Sequence, residues 1–367
     1  HTGTADRERT DRMRSVTRKK KILLIVSVFL ILMVGILIVK RDTVRMVYYN
    51  LFKTEIPLDT SEKWDEGKTF EHIQYAGISS SDYLDLYVPD NDEPMPLLVL
   101  IHGGGFVSGD SQSRQCRFMY QYFRDQGYAC ASVNYRLAHE AAFPGAIKDV
   151  KAAIRFLRAN AAQYGYDPDK IAVWGESAGG YLALMAGVTS DGEFEKVSFI
   201  GEDKLKQSVS SDVSAIVDFY GVTELGKMEQ EFSELGVPDI VTGIGASWLT
   251  SEISGTGYDS FEEAWLDRYI SDMTEEELDQ ANICWYAEKN LDKNSDIRIF
   301  IRHGDADITV PYLQSQKLFE SCQTAIGEEN VDYQLFHNYI HADDRFYSNR
   351  MLEQVKNFLD ESFAGQQ

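Results

Sequence analysis

Residues 175–179 read Gly-Glu-Ser-Ala-Gly, a serine between two glycines. The apolar run Ile171 to Trp174 precedes them and the helix-like run Tyr181 to Val188 follows, so the segment reads as strand, sharp turn and helix. In that setting a strained turn lifts the Ser177 hydroxyl clear of its neighbours, and the glycines remove side chains that would clash. The hydroxyl is un-ionised at neutral pH and attacks an acyl carbon only with a base beside it. His341, in His337-Asn338-Tyr339-Ile340-His341 after the last expected strand, is the candidate base, and His337 competes with it. A carboxylate to hold the imidazole tautomer is available past another strand, in His303-Gly304-Asp305-Ala306-Asp307, where Asp305 and Asp307 compete. His303 reads as a strand-end structural residue.

Acyl transfer passes through an anionic tetrahedral intermediate, which needs hydrogen-bond donors. His102-Gly103-Gly104-Gly105-Phe106 follows the apolar run Leu97 to Ile101, and its glycines let backbone N–H groups turn inward. Gly104 and Gly105, with the N–H of Ala178, are the expected oxyanion donors. A phosphate loop is a poor alternative, because neither G-x-G-x-x-G nor a G-K-[ST] ending is present. Glu176 is expected to support the elbow and His102 to brace the glycine loop. Phe106, Trp248, Trp285 and Tyr312 are candidates to line a substrate pocket; the alternative is that such aromatics form a small core of their own.

The elements that must hold these residues follow from hydrophobic period. Strands are expected at His72 to Ile78, Tyr83 to Val88, Leu97 to Ile101, Ala129 to Asn134, Ile171 to Trp174, Ala215 to Tyr220, Ile297 to Ile301 and Val331 to Phe336. Helices fall between them at Gln112 to Gln126, Ala146 to Tyr164, Ala178 to Val188 and Tyr312 to Ile326, with a last one at Tyr347 to Phe363. Alternation of this kind predicts an α/β fold with a mostly parallel, doubly wound sheet of eight strands. The rhythm breaks at about 222–296. A structureless loop of that length is improbable, so a helical cap over the carboxyl ends of the strands is expected there.

The 36 Lys/Arg and 58 Asp/Glu are unevenly placed: residues 1–45 hold 11 and 4, leaving 25 and 54 for the rest. A body this acidic argues against nucleic acid as a partner, since phosphate binding needs clustered Lys and Arg. Cys116, Cys130, Cys284 and Cys322 show no C-x-x-C and the histidines no H-E-x-x-H, so the cysteines read as buried thiols and no metal or cofactor is expected. Ile22 to Val39 carries no charge or proline. As a helix it reaches about 27 Å, near the roughly 30 Å of a hydrocarbon core. Basic residues concentrate before it, ending in Arg18-Lys19-Lys20-Lys21, which puts the basic segment 1–21 in the cytoplasm and the catalytic domain outside. The rival is a cleaved signal peptide and a secreted protein, disfavoured by the length of the run and by Lys40-Arg41 at its end. Residues 40–68 show no clear period and read as a juxtamembrane connector before a domain at 69–363; Tyr48 and Tyr49 could rest at lipid headgroups or on that domain.

His102-Gly103-Gly104-Gly105-Phe106, Asn134-Tyr135-Arg136-Leu137, Gly175-Glu176-Ser177-Ala178-Gly179-Gly180 and His303-Gly304-x-x-Asp307-x-x-Val310-Pro311 together resemble the carboxylesterase and lipase branch of the α/β-hydrolases. Within it they are most similar to the hormone-sensitive-lipase-like and BD-FAE feruloyl-esterase-like groups. The resemblance implies an α/β-hydrolase fold, assigns the acid to Asp307 and the base to His341, and implies hydrolysis of short-acyl or aryl esters, carbohydrate esters included. The segment around Asp307 is also similar to that of prolyl-peptidase-type hydrolases. A third reading is a surface binding protein that keeps the fold without catalysis. The oligomeric state is open.

Overall fold

The computed structural model describes residues 41–51, 67–190, 192–194, 198–200, 209–237, 256–258 and 260–365. The expected membrane segment at 22–39 lies outside them; among the described residues no helix is long and apolar enough to cross a membrane.

Eight strands form one sheet: β1 (Lys68–Gln74), β2 (Tyr83–Val88), β3 (Met95–Ile101), β4 (Ala129–Val133), β5 (Tyr166–Glu176), β6 (Ala215–Phe219), β7 (Arg298–Gly304) and β8 (Val331–Phe336). Their order is β1-β2-β4-β3-β5-β6-β7-β8. β2 runs antiparallel to β1 and β4, and every later pairing is parallel. This is the mostly parallel, mixed eight-stranded sheet of an α/β-hydrolase. Successive side chains alternate between two cores, Leu97, Val99 and Ile101 on one face and Leu98 and Leu100 on the other, as a strand covered on both sides requires. α2 (Arg114–Arg124), α3 (Gly145–Tyr164), α4 (Ala178–Val188), α9 (Leu313–Ile326) and α10 (Asn349–Ala364) supply those covers. All four cysteines are buried and free.

Several boundaries differ from expectation for local reasons. β1 lies earlier than His72 to Ile78 because the Asp82 carboxylate takes the N–H groups of Ile78 and Ser79 into a turn, which removes them from a ladder. β5 begins at Tyr166 rather than Ile171, and the last helix starts after a 3-10 turn at Asp344–Tyr347. The larger correction concerns the connector: Arg41–Leu51 is a helix, α1, whose Met46 is buried against the domain while Tyr48 is 54% exposed.

Between β6 and β7 lie α5 (Met228–Glu234), α6 (Phe261–Leu266), α7 (Glu275–Asp279) and α8 (Ile283–Asn290). α8 packs on α9 and α4 and so belongs to the helical layer over the sheet, which shortens the expected cap at its carboxyl end.

Candidate active site

The parallel register brings the carboxyl ends of the central strands to one edge. Ile101 lies opposite Gly175, Glu176 opposite Phe219, Phe219 opposite Arg302, and Gly304 opposite Phe336. The loops that leave β3, β5, β6, β7 and β8 therefore emerge side by side, as ligand-binding loops do in open α/β sheets.

Ser177 occupies the turn from β5 into α4 with φ 53° and ψ −121°, a conformation that an L-residue adopts only when its surroundings enforce it. The enforcement comes from backbone packed where side chains would otherwise sit. A Cβ at Gly175 would lie 1.9 Å from Gly179 O, and one at Gly179 would lie 2.1 Å from Ile101 O. Ser177 N–H donates to Phe219 O at 2.9 Å, tying the elbow to β6.

Ser177 Oγ is 3.0 Å from His341 Nε2, and His341 Nδ1 is 2.7 Å from Asp307 Oδ2. Asp307 is completely buried. Its Oδ1 accepts the N–H groups of Thr309 at 2.8 Å and Val310 at 2.9 Å, so the carboxylate also closes the turn that ends in Val310-Pro311. Burial by itself would raise the Asp307 carboxyl, but its electrostatic interaction with His341 and the hydrogen bonds from His303 and His341 hold it well below the usual carboxylate range. An ionised, immobile carboxylate on Nδ1 leaves Nε2 free to take a proton from the serine. His303 is buried between Ser315 Oγ at 2.7 Å, Val310 O at 3.0 Å and Asp307 Oδ2 at 3.2 Å, a structural position.

The glycine loop stands opposite. Gly104 has φ 119° and Gly105 φ 60°, and a Cβ at Gly104 would lie 2.0 Å from Ser108 O. Among the described residues no protein acceptor takes the N–H of Gly104, Gly105 or Ala178, the last being the first residue of α4. All three residues line the cavity before Ser177. His102 is buried against the Tyr135 ring at 4.3 Å between centroids, with Nδ1 2.8 Å from Gly103 O; burial lowers its pKa to about 4, which keeps the brace neutral.

Glu176 turns away from solvent beneath the elbow. Tyr220 donates its hydroxyl to Glu176 Oε2 at 3.0 Å, Tyr347 donates to the same oxygen, and the Gly103 N–H favours the charged form. Burial raises its pKa even so. Glu176 thus joins the elbow, the glycine loop, the end of β6 and the turn before α10. Tyr220 also sets the edge of its ring against His341, 4.9 Å between centroids. Neither tyrosine was signalled by its local sequence.

A cavity of about 1000 Å³ opens over these groups. Its walls are the glycine loop, Val222, Leu225, Met228 and Phe232 from the start of the insertion, Ser260 to Glu263 at the start of α6, and Ile308 to Val310. Phe106 lines it, 2% exposed and stacked on Trp265 at 4.8 Å. Trp248 lies outside the described residues. Trp285 and Tyr312 are not among the lining residues: Lys289 Nζ sits 4.5 Å over the Trp285 ring, and Tyr312 stands at the N-cap position of α9. Sequence reasoning missed Phe261, whose ring lies so close over the glycine loop that a Cβ at Gly105 would be 2.5 Å from its Cδ1.

The BD-FAE family model matches residues 84–322. Two curated relatives come from Mycobacterium tuberculosis. The probable carboxylic ester hydrolase LipM is 30% identical over 45% of this chain and 37% of its own, and esterase LipQ is 26% identical over 78% and 61%. The chain thus spans less than two thirds of the length of either. Among solved structures, a truncated carbohydrate esterase from gut microbiota superposes with a TM-score of 0.61 at 26% identity, covering 81% of this chain and 96% of that one. A bifunctional GH43-CE protein from Bacteroides eggerthii gives a TM-score of 0.63 at 29% identity, covering 80% and 35%.

Proposed function

This chain belongs to the BD-FAE family of α/β-hydrolases, and from that premise we propose that it is a serine carboxylic-ester hydrolase. The observation that carries the proposal is the line from Ser177 Oγ through His341 to Asp307, at 3.0 and 2.7 Å, facing unengaged backbone donors. Ser177 Oγ attacks the ester carbonyl carbon while His341 Nε2 takes its proton, and the N–H groups of Gly104, Gly105 and Ala178 receive the oxyanion. Collapse expels the alcohol, protonated by His341, and leaves an acyl-serine. Water repeats the sequence and releases the carboxylic acid.

The substrate class we propose is an ester on a carbohydrate. Two features support it: the likeness to the truncated carbohydrate esterase from gut microbiota, and a roomy cavity whose walls offer Glu229, Glu262, Glu263 and Ser260 to hydroxyls and Phe261 to a ring face. The apolar run at 22–39 supports, on sequence alone, a single-pass anchor with the catalytic domain outside. Resistance to alkaline carbonate extraction is expected of it, and release by carbonate would argue against it.

Ser177→Ala in the folded protein is expected to lower turnover of p-nitrophenyl acetate about 10³-fold or more. Wild-type activity in that variant would remove the mechanism. A panel of acetylated and feruloylated oligosaccharides beside a prolyl peptide substrate tests the class; cleavage of the peptide alone would favour the prolyl-peptidase reading.

A further inference from the structure

α1 precedes the sheet in sequence, yet its contacts converge on the two loops that carry Asp307 and His341. Arg45 Nη1 lies 2.8 and 2.9 Å from the Asp305 carboxylate oxygens, 2.9 Å from Asn338 Oδ1 and 3.1 Å from His337 Nδ1. One turn along α1, Asn50 Nδ2 donates to Ala306 O at 2.8 Å. Met46, on the same side of the helix, is buried with Ala306, Ile340 and Phe232.

Asp305 and Ala306 immediately precede Asp307, and Asn338 and Ile340 come within three residues of His341. The Asp305 carboxylate joins the loops directly as well, since Oδ1 accepts the Asn338 N–H at 2.7 Å and Oδ2 lies 2.7 Å from His337 Nδ1. Arg45 closes this bridge from outside. Its side chain is 21% exposed and that of Asp305 17%, so the pair is partly shielded from the screening that weakens surface ion pairs. The acid and base loops leave β7 and β8 and are joined on the backbone by the Asp305 N–H to Phe336 O and the Ala306 N–H to Tyr339 O, both at 3.0 Å; Arg45 adds a side-chain bridge to that link, next to the 2.7 Å contact of His341 with Asp307. A misplacement of about 1 Å at such a contact can cost on the order of 10²-fold in rate.

We propose that Arg45 is a positioning residue: through Asp305, Asn338 and His337 it holds the acid and base loops in register, so that α1 is part of the working active site and not only a connector. The proposal rests on the ester-hydrolase reading for its kinetic consequence, and on geometry alone for its structural one.

The test uses the full chain with Arg45→Met and Arg45→Lys. In Arg45→Met, kcat on p-nitrophenyl acetate is expected to fall about 10-fold or more with KM within about twofold, because the acetyl site is untouched. Fluorophosphonate labelling of Ser177 should slow by a similar factor. Hydrogen exchange should quicken at 304–310 and 336–343 while the core of the sheet stays protected. Arg45→Lys should recover part of each loss. Wild-type kcat, labelling and exchange in Arg45→Met would overturn the proposal. So would a loss of kcat with unchanged exchange in both loops. If Arg45→Met does not fold, Asp305→Asn tests the same bridge with α1 intact, and wild-type kcat and loop exchange in that variant would overturn it. A wild-type protein inactive on every ester would sink the ester reading instead, and loop exchange would still decide whether Arg45 holds the two loops.

Discussion

His337 Nδ1 lies 2.7 Å from Asp305 Oδ2, so the imidazole and carboxylate that compete along the chain with His341 and Asp307 are committed to one another. The pair is remote in role as well as in contact: His337 is 71% exposed on its side chain, whereas Asp307 is fully buried. Two acid–histidine pairs thus stand in the same two loops. Only one of them reaches Ser177.

The contrast between the pairs predicts kinetics. His341→Ala and Asp307→Asn are expected to lower kcat on p-nitrophenyl acetate about 10³- to 10⁴-fold, because the first removes the base and the second leaves Nδ1 facing the wrong tautomer. His337→Ala and Asp305→Asn should lose far less, on the order of 10-fold, through loop position alone. Steady-state kinetics on the four variants decides; equal losses in the two pairs would mean that the roles are shared or reversed.

Asp218 predicts a pH-dependent stability. It is fully buried at the end of β6 with Oδ1 accepting the Gly221 N–H at 3.0 Å, and burial raises its pKa to about 8 despite that bond. A carboxyl raised in the folded state keeps its proton while the unfolded chain, with an ordinary value of about 4, has lost it. The folded state then binds more protons, so stability falls as pH rises from about 4 towards 8 and levels off above. Asp218→Asn, which mimics the protonated form, should be more favourable at pH 8.5 than at pH 5 by about 4 kcal/mol. Urea unfolding at the two pH values measures it. An equal effect at both would show that Asp218 does not titrate in that range.

Phe261 predicts selectivity. Its ring covers Gly105 in the cavity wall, and Glu263 beside it accepts the Ile270 N–H at 3.1 Å, so the start of α6 is held in place. Phe261→Ala should leave kcat on p-nitrophenyl acetate within about threefold, since acetate needs only the serine and its donors. KM for an aryl or glycosyl ester should rise about 10-fold as the ring contact is lost. A comparison of kcat and KM across the two substrates tests this; parallel loss on both would place Phe261 in support of the oxyanion loop.

What could be read along the chain was local. The strand before Gly175 and the helix after Gly179 made Ser177 a candidate, and the loop after Ile101 announced its glycines, because each motif is contiguous and its backbone needs only its own residues. β2, β8 and α4 carry their expected boundaries for the same reason: their apolar periods are complete within the segment. Trp285 and Tyr312 show the other side. Aromatic residues near an insertion say nothing of which way they face, and here α8 turns Trp285 to Lys289 while Tyr312 stands at the start of a helix, away from the cavity wall.

By itself the sequence determined the alternation of strands and helices, the loops in which chemistry could sit and a short set of candidates in each. The tertiary structure decided between His341 and His337 and between Asp307 and Asp305, set Tyr220 and Tyr347 on Glu176, laid Phe261 over Gly105 and brought Arg45 to Asp305. These contacts join residues from 32 to 260 positions apart. Such pairings exist only once the sheet has closed its register and aligned the strand ends, and no local pattern encodes them, since each partner's own segment would read the same without the other.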